Sequence, residues 1–123
     1  MSENEIDFSI LIGPQVPTKS FKADDIIFKE GDSASELYVI RNGRVGIQSG
    51  NRLLDTLDGN TIFGEMALVD GAPRSATAVA VTDVTLVPVS EKQFLFLVSQ
   101  TPFFALKVMR VLAQRLRASN KAL

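Results

Sequence analysis

Short apolar runs cut by turn signals fill the chain from Val16 to Val89, and beyond Val89 the apolar spacing changes from alternate positions to a helical repeat. The breaks fall at Lys22–Asp25, Gly31-Asp32, Asn42-Gly43, Gly50-Asn51, Asp58-Gly59 and Asp70–Pro73. Between them the pattern predicts strands over 26–28, 37–41, 44–48, 53–57, 75–81 and 84–89. Many short strands at this spacing mean a sandwich or a barrel. Asn42-Gly43, set between LYVIR and RVGIQ, is the strongest hairpin signal, because a type I′ turn needs positive φ at both central residues. In Ser75–Val81, Ala76, Ala78 and Ala80 share one face while Thr77, Val79 and Val81 share the other. The alanine face is either tight sheet packing or room left for a ligand, and the alternation favours neither.

Ser90-x-x-Gln93 is a capping-box pattern opening a helix with Phe94, Leu97 and Val98 on its apolar face. Thr101-Pro102 reads as an N-cap followed by proline at the first helical position, and the helix it opens runs to about Ala118. Ala105, Met109, Leu112 and Leu116 form its stripe, with Val108 and Val111 beside it. The stripe is wider than one seam requires, so it is fit either to dock a partner or to close over the strands. Three segments result: a tail over 1–15 with room for one short helical turn, a β-rich body over 16–89, and C-terminal helices over 90–123.

Composition narrows the chemistry. A chain of 123 residues has room for one core. The net charge of −1 argues against general affinity for nucleic acid, although every charge after Glu91 is basic. With no Cys and no His, thiolate nucleophiles, His-based triads and most zinc sites are excluded. Only scattered carboxylates remain for catalysis, so the expectation is a binding protein without enzymatic activity. The N-terminus lacks a basic start and a long apolar stretch, and no run approaches the ~18 apolar residues of a membrane span; the cytoplasm is the expected compartment.

The informative segment is Phe63–Ala78, reading FGEMALVDGAPRSATA. Gly64 permits positive φ or close approach of a ligand to the backbone. Glu65–Leu68 can form one helical turn with free N–H groups, and Asp70–Pro73 stops it. Arg74 and Ser75 are then delivered back to the same place. One loop thereby gathers amides, a guanidinium, a hydroxyl and a carboxylate. The cation suits an anion, and the carboxylate suits neutral hydroxyls beside it. A sugar phosphate supplies both.

At these residues the chain resembles the cyclic nucleotide-binding domain family, whose phosphate-binding cassette has the pattern F-G-E-[LM]-A-L, a short turn, then P-R-[ST/A]-A-T. FGEMAL, VDGA and PRSAT match it throughout, and IIFKEGD and LYVIRNGRVGI are similar to the family's text elsewhere. The resemblance implies a mainly β domain with flanking helices (α+β): an eight-stranded β-roll of jelly-roll type, a cassette helix within 63–78, and two C-terminal helices of which the last acts as a lid. It implies reversible binding of cAMP or cGMP by a regulatory module, with ligand closing the lid. By the resemblance Glu65 takes the ribose 2′-hydroxyl and Arg74 the exocyclic phosphate oxygens. Ser75 adds its hydroxyl or amide. Phe63, Gly64, Met66, Ala67 and Ala76 frame the cradle. Base contacts would draw on Val45, Leu53, Leu57 and Ile62, plus Ala67, although each of these is a candidate for the core before it is one for direct contact. Arg115 on the last helix, with Leu112 and Leu116 near it, is either a cation–π partner of the purine or a solvated arginine. Expected partners are the nucleotide and, through the C-terminal helix, a second copy or a separate effector; DNA and membrane are not expected. The alternative is a cassette-bearing interaction domain that no longer binds nucleotide, or a piece of a longer cyclic-nucleotide-regulated protein.

Overall fold

The computed structural model describes residues 16–121, so the tail expected over 1–15 lies outside the described residues. In chain order the elements are β1 (Lys19–Phe21), β2 (Ile26–Phe28), β3 (Glu36–Asn42), β4 (Val45–Ser49), β5 (Arg52–Leu57), β6 (Ile62–Phe63), α1 (Met66–Val69), β7 (Thr77–Ala80), β8 (Val84–Ser90), α2 (Glu91–Gln100) and α3 (Pro102–Lys121). The strands form two four-stranded sheets, ordered β1-β8-β3-β6 and β2-β7-β4-β5, antiparallel at every pairing. The pairing is nested: β1 with β8, β2 with β7, β3 with β6, β4 with β5. This is the doubled-back winding of a jelly roll, and the expected β-rich class with flanking helices holds. Strands β1 and β6 were not predicted, being three and two residues long and so too short to show a period.

Asn42-Gly43 is not a hairpin. Strands β3 and β4 belong to different sheets, and Asn42 keeps an ordinary negative φ while Gly43 has φ +94°. The chain turns a corner there. A Cβ on Gly43 would lie 2.8 Å from Val84 Cα, at the second corner, between β7 and β8. The two corners are laced by Arg44 N donating to Thr82 Oγ1 at 3.0 Å and Val81 N donating to Arg44 O at 2.9 Å. The tight hairpin is β4–β5, where Ser49 faces Arg52 across Gly50-Asn51.

Between the sheets lies a buried cluster of Tyr38, Ile40, Val45, Phe63, Ala78, Ala80, Val84 and Leu86, with Phe21, Ile27, Phe28, Ile47 and Leu57 packed against it. Ala78 stands opposite Ile47, and Ala80 opposite Val45, so the alanine face is packed against branched side chains. Alternation sends Leu37, Val39 and their neighbours Ile62, Val87 and Val89 to the other face of the first sheet, which is also buried.

The helices form a second compact unit from Lys92 onward. Thr101 ends α2 rather than capping α3 with its side chain: its hydroxyl donates to Leu97 O at 2.8 Å, and its amide donates to the same oxygen at 2.8 Å. Its backbone carbonyl does accept from Phe104 N at 2.8 Å, as a residue preceding a helix should. The axes bend by 119° at this point, and Phe94 meets Phe104 with ring centroids 5.6 Å apart. On α3 the buried positions are Phe104 and Val108, with Ala105, Val111 and Leu112 half-buried. The expected stripe is therefore turned by about one residue: Met109 and Leu116 stand exposed at 57% and 62%.

Candidate functional site

Strand β6 ends at Phe63 and the chain reverses at Gly64, whose φ is +73°. Only glycine suits this position. A Cβ there would stand 2.6 Å from Arg74 Nη1. Helix α1 follows, with Glu65 at its N-cap but making no side-chain capping bond. Asp70 closes the turn by accepting a hydrogen bond from Ala72 N on Oδ1 at 2.9 Å. Arg74 is then gripped by the β2–β3 loop, its N–H donating to Asp32 O and its carbonyl accepting from Gly31 N, both at 2.8 Å. Those two bonds turn Arg74 out of the sheet ladder, so the strand expected from Ser75 begins at Thr77.

Arg74 is 7% exposed. Nη1 donates to Gly64 O at 3.0 Å and Nη2 to Glu36 O at 2.8 Å. The guanidinium lies 4.1 Å from the Phe28 ring centroid and 5.6 Å from that of Tyr38. Phe28, Tyr38 and Phe63 form a ring cluster, with centroids 5.4 to 6.2 Å apart. Nε is buried without a hydrogen-bond partner, and among the described residues no ion pair joins Arg74 to a carboxylate. An unsatisfied buried donor costs about 1–3 kcal/mol, and a buried guanidinium hydrogen-bonded only to neutral carbonyls among the described residues is incompletely compensated. An anion is the kind of group that would supply both an acceptor and a countercharge here.

Beside the guanidinium, Glu36 Oε1 accepts from the Tyr38 hydroxyl at 2.8 Å and from Lys19 Nζ at 2.9 Å. Burial raises the Glu36 pKa, but the bonds from Lys19 and Tyr38 and the charges of Lys19 and Arg74 outweigh it, leaving the group below the ordinary glutamate value. The hydrogen bond to Glu36 raises Lys19, and burial together with that same carboxylate raises Tyr38.

Phe63, Gly64, Glu65, Met66, Ala67 and Arg74 meet in this one region. Glu65 and Ala67 are buried, and Met66 is 43% exposed. The Ala67 amide, expected in the cradle, reaches Gly64 O at 3.3 Å. Ser75 is exposed and Ala76 half-buried at the start of the loop into β7. Val45 and Leu57 are paired across β4 and β5 and line the interior, whereas Leu53 is 58% exposed. Ile62 faces away from that interior, because it pairs with Val39 while its neighbour Phe63 pairs with Tyr38. Arg115 is half-buried on α3, in the helical unit. Sequence reading missed Phe28, Glu36 and Tyr38. An acid directly before the apolar run of β3 was the available signal, but only the sheet brings it to Arg74. Elsewhere, an open hollow of about 300 Å³ beside Phe21, Lys22, Asn42 and Asp83 is lined by no cassette residue.

The model of the cyclic nucleotide-binding domain matches residues 18–101, which takes in both sheets, the cassette and α2. The chain belongs to the cyclic nucleotide-binding domain family. A curated relative in this family is the cyclic AMP receptor protein of Thermus thermophilus, 35% identical over 99 residues, or 76% of this chain and 46% of the relative. The crystal structure of the Thermus thermophilus catabolite activator protein superposes with a TM-score of 0.79 at 31% identity, covering 87% of this chain and 53% of that one. An EAL enzyme solved in its cAMP-bound form is 39% identical with a TM-score of 0.62, covering 85% of this chain and 30% of the enzyme. The chain spans about half the length of the curated receptor it matches. The matched region thus makes up about half of the receptor and about a third of the EAL enzyme.

Proposed function

We propose that this chain is a non-enzymatic regulatory module that binds cAMP or cGMP reversibly, with Arg74 taking the phosphate. One observation carries the reading: the guanidinium of Arg74, a residue 7% exposed, is held by two neutral carbonyls with Nε–H unpartnered. A cyclic phosphate diester supplies the absent charge and acceptors. Gly64, the amides through Ala67 and Ser75 complete the cradle, Glu65 takes the ribose 2′-hydroxyl, and Val45 and Leu57 border the base. Ligand occupancy passes to the helical unit, whose exposed Phe103, Leu106, Met109 and Leu116 meet a second copy or an effector. The proposed site of action is the cytoplasm; among the described residues no single helix is long and apolar enough to cross a membrane. The expectation of no DNA partner applies to this domain alone and rests on its net charge of −1.

Calorimetric titration with cAMP and cGMP tests the reading. Arg74→Ala removes hydrogen bonds made by a charged donor, worth about 1.5–3 kcal/mol, or roughly ten- to two-hundredfold in affinity. The 2′-deoxy analogue lacks the hydroxyl that Glu65 takes and binds clearly more weakly than its parent. Equal affinity of Arg74→Ala and the unmodified protein would reject the assignment.

A further inference from the structure

Glu36 holds Arg74 with its backbone and stays away from it with its side chain. Its carbonyl accepts Nη2 at 2.8 Å, yet among the described residues its carboxylate accepts only from Tyr38 and Lys19, both on Oε1. A guanidinium has five N–H donors, and Arg74 uses two here. The remaining donors and the Glu36 carboxylate, whose second oxygen accepts no hydrogen bond among the described residues, suit one another as the two halves of a bidentate pair, one of the strong polar contacts side chains make. The Tyr38 ring lies between them in function: its hydroxyl restrains the carboxylate, and its face lies 5.6 Å from the guanidinium.

We infer that Lys19 and Tyr38 are positioning residues that hold the Glu36 carboxylate off Arg74, so that the guanidinium stays open to a phosphate. The inference rests on Arg74 being the phosphate ligand. Released from its two tethers, Glu36 swings onto Arg74 and competes with the nucleotide from inside the protein. The tether from Lys19 comes from β1, a strand that shares no cassette residue, so strand β1 bears on ligand affinity without touching ligand.

A double-mutant cycle on cAMP affinity tests this. Tyr38→Phe keeps the ring and the net charge and removes one tether. It raises the Kd for cAMP about three- to tenfold in the otherwise unmodified chain. The same substitution made in a Glu36→Gln background changes the Kd by less than about twofold, because no carboxylate is left to compete. Lys19→Met, at a side chain 49% exposed and therefore safe for folding, shows the same dependence on Glu36. A through-space effect of the lysine charge would persist in both backgrounds. A penalty of equal size with and without the Glu36 carboxylate, or no penalty in either, overturns the inference. Unmodified protein and Arg74→Ala are titrated alongside. If the unmodified chain binds no cyclic nucleotide, or Arg74→Ala binds as well as it does, the site reading falls and the inference with it. Intact dependence on Arg74 without coupling between Tyr38 and Glu36 removes the inference alone.

Discussion

Glu36 shows how one residue sums opposed influences. Burial works against its charge, while Lys19, the Tyr38 hydroxyl and Arg74 favour it, and the favourable group wins. A carboxylate whose folded pKa lies below its unfolded value contributes stability that is complete above about pH 4.5 and is lost as pH falls through the lower folded value. Lys19 is raised, so its share is complete below its ordinary value and is lost as pH climbs through the higher one. The Lys19 side chain is 49% exposed, and solvent keeps the pair's worth below about 1 kcal/mol. Urea midpoints measured from pH 6 to pH 3 should therefore show the unmodified protein losing its advantage over Glu36→Gln as the solution is acidified. A gap that stays constant over that range contradicts this account. At the same scale, the cassette residues were legible because their chemistry lies in one continuous segment. The guanidinium's supports were not, because Phe28 and Tyr38 look like any other core aromatics until the sheet brings them under it.

Among the elements, the corner at Gly43 separates what local pattern can say from what packing decides. Asn-Gly between two apolar runs satisfies every local rule for a hairpin, and the same residues serve here to pass the chain from one sheet to the other. Gly43 and Gly31 have nearly equal φ, +94° and +91°, but nothing lies within 4 Å of a Cβ built on Gly31. Gly31→Ala should therefore cost only the strain of a left-handed residue, about 1–2 kcal/mol. Gly43→Ala adds a clash with the backbone of Asp83 and Val84, and its cost should reach about 3 kcal/mol or more in urea denaturation. Equal costs at the two positions would mean that the corner yields. The last helix carries a related lesson. Its period predicted an apolar stripe, and that stripe exists, but the choice of buried face fell to Phe104 and Val108 rather than Met109 and Leu116. Helical spacing constrains which residues share a face and leaves open which face is covered when apolar residues surround the axis.

Across the whole molecule, nested pairing brings β2, β3 and β6 together at the cassette, so the site depends on contacts distant in sequence. Ligand that binds only the folded chain must stabilise it by mass action, about 2.7 kcal/mol at a hundredfold excess over Kd. For a domain of this size that is a rise in Tm on the order of 10 °C, read by thermal shift with cAMP and cut to about half or less for Arg74→Ala at the same ligand concentration. No shift with either cyclic nucleotide would favour a cassette retained for interaction alone. The sequence by itself determined the β-rich class, six of the eight strands, the helical C-terminal segment and the residues of the cassette, because these rest on spacing and on contiguous chemistry. Tertiary structure alone decided that β3 and β4 part into different sheets, that Ile62 faces away from the interior, and that Glu36 lies beside Arg74. Those are matters of which surfaces meet, and a surface's partner is chosen by the competition among all buried groups at once, which no local window of the chain contains.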